Sequence, residues 1–453
     1  MNQNGTAPPR PPGTLGAGTQ PPAPESDDSA HVGHGENFSL AHYLDPKAAT
    51  FEERFADFRP YVTRSRELGF VLREIAGPAG ASVAVRTGQG TRDVVMLGSN
   101  NYLGLASEPE IIEAAVAATW EYGVGCGGPP LLNGTTSLHL RLEERLAEIK
   151  GCEAALVFSS GFAANVGWVT GLLGKGDILL YDVQNHASLY DGIQLGRVRS
   201  MSFAHNDLDQ LRLRLMQARW RNPGANIVVA VEGVYSMDGD IAPLPEIREL
   251  CDSFGAWLAV DDAHGTGVLG AHGRGTAEHF GMEGRVDVAM GTFSKVFATT
   301  GGFVAGSKDM VDYLRFFARS YMFSAALSPA VVASVLASLD FLAAHPERVA
   351  ALHDNVGYFC AALRAKGFDV RPETAIIPIL LPPQVPVAEV VAALDSEGVF
   401  VNGVEFPAVP RDQQRIRISM MATLTPAQLD FTVDRIDAVA RRFGFHPEQG
   451  DAA

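Results

Sequence analysis

The sequence predicts an α/β protein with an open, mostly parallel sheet and a smaller α+β unit behind it. Three observations carry that expectation. Five short apolar runs rich in Val, Ile and Leu recur through the middle of the chain: ALVF (155–158), ILLY (178–181), IVVAV (227–231), WLAV (257–260) and VDVAMG (286–291). Helix-period segments, at 208–218 and 244–254 for example, lie between several of them, and continuous apolar strands separated by helices are the pattern of parallel strands covered on both faces. After a long helical stretch at 328–344 the texture changes. Strands IIPILL, VFVNG and RIRISM then mix with helices at 387–396 and 426–443, which marks the second unit.

Taken in order, residues 1–36 are Pro/Gly/Ser-rich (PPRPPGTLGAGTQPPAPESDDSA) and nearly lack large apolar side chains. Such a composition cannot form a core, so a disordered tail is expected there. Residues 37–95 are read as an N-terminal segment packing on the small domain, with an amphipathic helix at 51–64 and a short strand region after it. Residues 96–325 are read as the large cofactor domain, 326–445 as the small domain and 446–453 as a tail. Within the large domain, Ile111, Ile112, Ala115, Val116 and Trp120 fall at helical spacing over 108–122, and Leu138, Leu142 and Leu146 over 137–149. No internal repeat is evident.

Composition narrows the function. The 453 residues carry 36 Lys+Arg against 52 Asp+Glu, a net charge of -16, with 46% hydrophobic residues. An acidic chain is a poor generic binder of nucleic acid or of an anionic membrane, because phosphate attraction needs a basic face. Cys126, Cys152, Cys251 and Cys360 are scattered without a CxxC pair, which excludes a dense disulfide scaffold or cysteine-rich zinc site and fits a reducing compartment. No apolar run has membrane-spanning length and the N-terminus lacks signal-peptide layout, so a cytoplasmic location is expected.

Ligands bind outside the carboxyl ends of strands in open parallel sheets. ALVF is followed by Ser159, Ser160, Gly161 and Phe162; ILLY by Asp182 and then Asn185 and His186; IVVAV by Glu232. WLAV is followed by Asp261, Asp262 and His264, and VDVAMG by Thr292, Ser294 and Lys295. Alone, Lys295 reads as a solvated lysine and His186 as a structural histidine; it is the convergence on one rim that favours chemistry. Lys295 lies in GTFSKVFATTGG, where small and apolar neighbours would lower its pKa and make the amine a usable nucleophile. An imine-forming lysine needs an electron-sink cofactor, and a pyridoxal site needs an acid facing the ring nitrogen. Asp261 can supply that acid, His264 can bond the ring hydroxyl, and His186 can stack over the ring. Ser160, Gly161, Phe162, Thr292 and Ser294 offer the hydroxyls and helix-start N–H groups that the phosphate of pyridoxal 5'-phosphate requires.

Competing motifs fail on context. GVGCGG (123–128) follows a helix rather than a strand, and in GTGVLG (265–270) the residues AHGRG stand where a helix should open. GLLGKG (171–176) lacks the first Gly and final Ser/Thr of a phosphate loop. No ligand pair at helical spacing accompanies Asp261, Asp262 and His264, so no metal is expected.

The motifs NNYLGL, LLNGTTSLH, SSGFAAN, NHASLYDG, EGVYSMDGDIAPL, VDDAHGTG, GTFSK and RIRISMMA, in this order, resemble the α-oxoamine synthases. These are fold-type I pyridoxal-phosphate enzymes that condense an amino acid with an acyl thioester, and the resemblance covers residues 38–443. LNGT, HASLYDG, EGVYSMDGDIAPL and GTFSK with its downstream GGFV most resemble the serine palmitoyltransferase branch. The resemblance implies a mostly parallel seven-stranded sheet, Lys295 as the Schiff-base lysine, Asp261 on the ring nitrogen, His264 on the ring hydroxyl and His186 stacked. It further implies phosphate contacts from Thr292 and Ser294, and from Ser324 toward the neighbouring subunit, hence a homodimer with shared active sites. Arg417 matches the arginine that holds the substrate carboxylate, a task suited to a bidentate guanidinium, and Asn101 matches an asparagine near the substrate. Asp262 stands where the family more often has Glu, Asn100 where some serine palmitoyltransferases have Tyr, and Leu424 where His is common. The implied reaction is a decarboxylating condensation of an amino acid, serine first, with an acyl thioester, long-chain acyl-CoA first, giving an α-amino ketone such as 3-ketosphinganine. Glycine or alanine with another acyl-CoA or acyl carrier protein thioester is the alternative, and an aminotransferase a remoter one.

Overall fold

The computed structural model describes residues 40–44, 50–88 and 90–447. The tail expected at 1–36 lies outside the described residues, as does most of the one expected at 446–453. The helix Phe51–Glu67 opens on a capping box: Thr50 Oγ1 accepts from Glu53 N–H at 3.2 Å while the Glu53 carboxylate accepts from Thr50 N–H at 3.1 Å.

Strands β1 (Ser82–Thr87) and β2 (Gly90–Met96) pair antiparallel. The next seven are β3 (Ala154–Phe158), β4 (Ile178–Asp182), β5 (Arg199–Phe203), β6 (Ile227–Glu232), β7 (Trp257–Asp261), β8 (Val288–Thr292) and β9 (Gly302–Gly306). They form one sheet in the order β3-β9-β8-β7-β6-β4-β5. All five apolar runs are therefore strands of it, and only β9 runs antiparallel to its neighbours β3 and β8. Strands β10 (Ile376–Leu380), β11 (Val399–Phe400), β12 (Asn402–Val404) and β13 (Arg415–Ser419) follow. β10, β13 and β12 make an antiparallel sheet, while β11 adds in parallel to β2.

Among the elements that escape the sequence reading, two do so for clear physical reasons. β9 is GFVAG, too glycine-rich to register as an apolar run, and its glycines answer to packing. A Cβ on Gly302 would stand 2.6 Å from Gly161 Cα, so only glycine lets β9 pass the start of the helix Gly161–Leu172. The helix Glu347–Ala365 buries Val349, Leu352, Phe359, Cys360 and Leu363 through a face diluted by alanines and charges. The helix Pro109–Tyr122 forms as expected, but its apolar stripe does not turn into the core. Ile112, Val116 and Trp120 are 49%, 51% and 87% exposed, because Ile111 and Ala118 occupy the inward face of a helix that leans on the helix Pro329–Ala344. Leu142 and Leu146 are buried as their spacing requires.

Candidate active site

β6, β7 and β8 end side by side, the register setting Glu232 opposite Asp261 and Asp261 opposite Met290. A cleft of about 260 Å³ opens over these ends. Ser160, Gly161, Phe162, Thr292 and Ser294 line it, together with His186, Asp261, His264 and Lys295. Sequence positions more than 100 residues apart are thus brought together because each directly follows a strand or opens a helix on the same rim.

Lys295 sits in the tight turn after β8, where its carbonyl accepts from Ala298 N–H at 3.0 Å. Among the described residues nothing accepts a hydrogen bond from its amine. Burial lowers the amine pKa to about 8, against the opposing pull of Asp261 and Glu232. At pH 7 about a tenth of the amine is therefore unprotonated, far more than for an ordinary lysine.

Asp261 is held from two sides. Its Oδ1 accepts from Ala263 N–H at 3.1 Å and its Oδ2 from Asn165 Nδ2 at 2.7 Å. Asn165 also donates to Ser188 Oγ at 2.9 Å and accepts from Trp168 Nε1 at 3.0 Å, which fixes the amide's orientation. His186 caps the helix Ala187–Gly196, its Nδ1 accepting from Ser188 N–H at 3.2 Å, so a neutral ring carries its proton on Nε2. Burial pushes the His186 pKa down, with Asp261 pulling the other way. Glu232 is buried and its Oε1 has no partner among the described residues. Burial first, and the neighbouring Asp261 charge second, raise its pKa well above the carboxylate range.

His264 is buried, with Nδ1 2.7 Å from Tyr102 OH, which leaves Nε2 for a ligand. Burial, then the charges of Lys295 and Arg417, push its pKa well down, so the ring is neutral. Arg417 on β13 donates through Nε to Ser236 O at 2.6 Å and through Nη1 to Ser419 Oγ at 2.9 Å and Asn100 Oδ1 at 3.2 Å. Ser236 lines the Lys295 cleft, so this network places the guanidinium beside it. Asn101 is buried, and its side-chain oxygen accepts from Ala106 N–H at 3.4 Å. It is Asn100, one residue earlier, that meets Arg417. Ser324 lines a separate depression with Ser159 and Thr135. Asp262 pairs with Lys150 Nζ at 2.7 Å, both nearly fully buried, and accepts from Thr266 and Thr276 hydroxyls. It is a structural brace.

The donor set fits pyridoxal phosphate. An amine without a hydrogen-bond partner faces the same cleft as a carboxylate fixed by two donors. At the N-terminus of Gly161–Leu172, Ser160 Oγ accepts from Ala163 N–H at 3.0 Å, and Thr292 Oγ1 and Ser294 Oγ lie 2.9 Å apart in the same cleft. Hydroxyls at a helix start are a ready anion site, and the Gly302–Gly161 approach brings β9 and the helix close enough to build it.

Asn165, Ser236, Glu232, Tyr102 and Asn100 were not among the residues assigned roles at the site from sequence. Glu232 carried a signal as the acid that follows IVVAV, Asn100 as a departure from the family pattern, and Asn165 as a polar residue within the small and apolar stretch GFAANVGWV.

Sheet, lysine, acid and anion cradle together define a fold-type I pyridoxal-phosphate-dependent transferase. The family model for aminotransferase class I and II matches residues 92–436. The chain is 45% identical over 350 residues to serine palmitoyltransferase of Sphingobacterium spiritivorum, covering 77% of this chain and 87% of that protein. It is 41% identical over 374 residues to 8-amino-7-oxononanoate synthase of Fervidobacterium nodosum, covering 82% and 94%. The solved structure of S. paucimobilis serine palmitoyltransferase with a bound PLP–myriocin aldimine is similar at a TM-score of 0.80 and 34% identity, over 86% of this chain and 99% of that one. The chain belongs to the aminotransferase class I and II family and, within it, to the α-oxoamine synthases, pyridoxal-phosphate-dependent acyltransferases.

Proposed function

We propose that this α-oxoamine synthase condenses serine with a long-chain acyl-CoA, releasing carbon dioxide and the thiol and leaving an α-amino ketone such as 3-ketosphinganine. The observation that carries the chemistry is the Lys295 amine, with no acceptor among the described residues, in one cleft with Asp261 and bordered by the Arg417 network. The likeness to two serine palmitoyltransferases supports serine as the amino acid. The comparable likeness to 8-amino-7-oxononanoate synthases supports a second reading, glycine or alanine with another acyl-CoA or a carrier-protein thioester.

Lys295 would hold the cofactor, Asp261 its ring nitrogen, His264 its ring hydroxyl, and Ser160, Thr292, Ser294 and the N–H groups of Gly161 and Phe162 its phosphate. Pyridoxal phosphate supplies the electron sink for the pair left at the amino acid's Cα. Lys295, with a pKa near 8, takes a proton from Cα and returns one at neutral pH. Asn165 and Ala263 donate to Asp261 and hold its carboxylate in place for the ring-nitrogen proton. Arg417 binds the amino acid's carboxylate and so sets which Cα bond stands in line for cleavage. Of the two histidines, His186 has its ring N–H on Nε2 free to offer to the acyl oxygen, because His264 Nδ1 faces Tyr102 and its Nε2 is committed to the ring hydroxyl.

The same reading includes a second copy of the chain. Ile112, Val116, Trp120, Val124 and Leu132 form exposed apolar surface that water does not favour, and Ser324 stands outside its own chain's cleft. No single helix among the described residues is long and apolar enough to cross a membrane. The deciding experiment incubates the holoenzyme with serine, glycine or alanine against short and long acyl thioesters, on coenzyme A or a carrier protein. Mass spectra of the amino ketones identify both substrates. Turnover of an amino acid with a keto acid alone would replace the proposal with a transaminase, and sedimentation as a monomer would remove the shared site.

A further inference from the structure

Outside the cleft, one cluster of charged side chains is unusually well built. His205, just beyond β5, lies between two carboxylates: Nδ1 is 3.2 Å from Asp182 Oδ1 and Nε2 is 2.8 Å from Asp240 Oδ2. A ring that donates to an acid from both nitrogens is an imidazolium. Asp182 is fully buried at the end of β4 and accepts further from the backbone N–H groups of Gln184 and Asn206, both at 2.8 Å. Asn206 holds a left-handed φ of +52° and reaches Asp240 Oδ2 through Nδ2 at 2.8 Å. Asparagine is one of the few non-glycine residues that adopt this backbone readily. The Tyr235 ring meets the imidazole edge-on, centroids 4.4 Å apart.

What the cluster holds is a turn. Tyr235 N–H donates to Asp240 O at 3.0 Å and Gly239 N–H to Tyr235 O at 2.8 Å, while Val234 and Ile241 form a bridge. The far side of this turn is gripped by the sheet that carries Arg417. Ser236 O accepts from Arg417 Nε at 2.6 Å, Met237 O from Arg415 Nη1 at 3.2 Å, and Gly239 O from Thr374 Oγ1 at 2.8 Å. Arg415 also pairs with Asp238. The turn is therefore clamped between the seven-stranded sheet, through His205, and β13, through two arginines.

We propose that His205, as an imidazolium bridging Asp182 and Asp240, is a positioning residue for substrate carboxylate binding: it fixes the 235–241 turn whose Ser236 carbonyl aims Arg417. Neither Asp182 nor Asp240 touches the cleft around Lys295, so the effect reaches substrate only through the turn. The inference rests on the reading of Arg417 as the carboxylate holder, and the test keeps the two apart.

The test compares wild type with His205→Gln, Asp240→Asn and Arg417→Lys as holoenzymes. Serine and glycine dissociation constants are read from the visible absorbance without any thioester. Hydrogen exchange at 235–241 is measured in parallel. Loss of one charge-assisted bond should weaken amino-acid binding about tenfold in His205→Gln. Exchange at 235–241 should quicken, while cofactor content and the KM for thioester stay at wild-type values. Asp240→Asn keeps ring and sheet in place and should show the same pattern more weakly; it decides the matter if His205→Gln does not fold. The double variant His205→Gln, Arg417→Lys should lose no more than Arg417→Lys alone. Wild-type amino-acid affinity and unchanged exchange in folded Asp240→Asn would overturn the proposal, as would additive losses in the double variant. Wild-type affinity in Arg417→Lys would instead sink the reading of Arg417, with the exchange data still judging the clamp.

Discussion

Replacing Asn165 by Ala separates what this residue does for the cofactor from what it does for the fold. The side chain makes hydrogen bonds to Asp261 at 2.7 Å, to Ser188 at 2.9 Å and from Trp168 Nε1 at 3.0 Å. A hydrogen bond to a charged acceptor contributes about 1.5–3 kcal/mol. If that contribution keeps Asp261 oriented toward the ring nitrogen, its loss raises the cofactor's dissociation constant about 10- to 100-fold. The second effect falls elsewhere. Trp168 is 2% exposed, and its orphaned indole N–H costs about 1–3 kcal/mol of stability whether or not cofactor is bound. Absorbance titration of apoprotein with pyridoxal phosphate reads the first effect; urea unfolding of the apoprotein reads the second. Folded Asn165→Ala protein that binds cofactor within about twofold of wild type would refute the reasoning. Asp261 would then be held by Ala263 N–H alone.

Five further outcomes are expected. Because the Lys295 pKa lies near 8, covalent uptake of cofactor by apoprotein should accelerate with pH up to about 8 and level off above it; a rate still climbing toward 10.5 would mean an ordinary amine. Lys295→Ala should leave no borohydride-fixable cofactor at any pH. Lys150→Met strands the buried Asp262 carboxylate and should cost about 3–5 kcal/mol in urea unfolding; a loss below about 1 kcal/mol would show that Thr266 and Thr276 suffice. Gly302→Ala places a Cβ 2.6 Å from Gly161 Cα, so the protein should fold but take up cofactor poorly, and normal uptake would show that the cradle can yield. His205, raised from 6.5 to about 10, adds stability that is whole below pH 6.5 and gone once the pH passes 10. The gap in urea midpoint between wild type and His205→Gln should therefore narrow across that window, and a constant gap would mean that the ring's charge is idle.

Much of this site was legible because it depends on a rule of position. A residue that directly follows a buried parallel strand stands at the ligand-binding rim, so Asp261, Thr292 and Lys295 could be read from the apolar runs before them. Their partners could not. Asn100 and Asn101 are adjacent and chemically identical, and only the backbone decides which one meets Arg417: Asn101 O and N–H are taken up by Gly104 and Ser99. Ser236 acts on Arg417 through its carbonyl, which every residue has. The stripe of Ile112, Val116 and Trp120 showed that a helix has an apolar face without showing what covers it. β9 stayed hidden because the closeness that makes the cradle demands glycine, the residue with the weakest strand signal.

The sheet order also creates an electrostatic problem, and its solution explains the division of roles. Adjacent β6 and β7 deliver Glu232 and Asp261 to facing positions, and Asp262 follows at once, so three carboxyl groups crowd one low-dielectric rim. All three pull the Lys295 pKa upward, and three equivalent acids would bind the ring nitrogen at no defined point. Each acid is instead given a different fate. Asp262 is neutralised by Lys150 below the rim. Glu232, buried with an unpartnered oxygen beside Asp261, has its pKa raised well above the carboxylate range. Asp261 alone receives the Asn165 and Ala263 donors that fix its orientation. Burial, helped by the Arg417 guanidinium, outweighs the upward pull of Asp261, Glu232 and Asp262, and the Lys295 pKa falls to about 8 although three acids surround it.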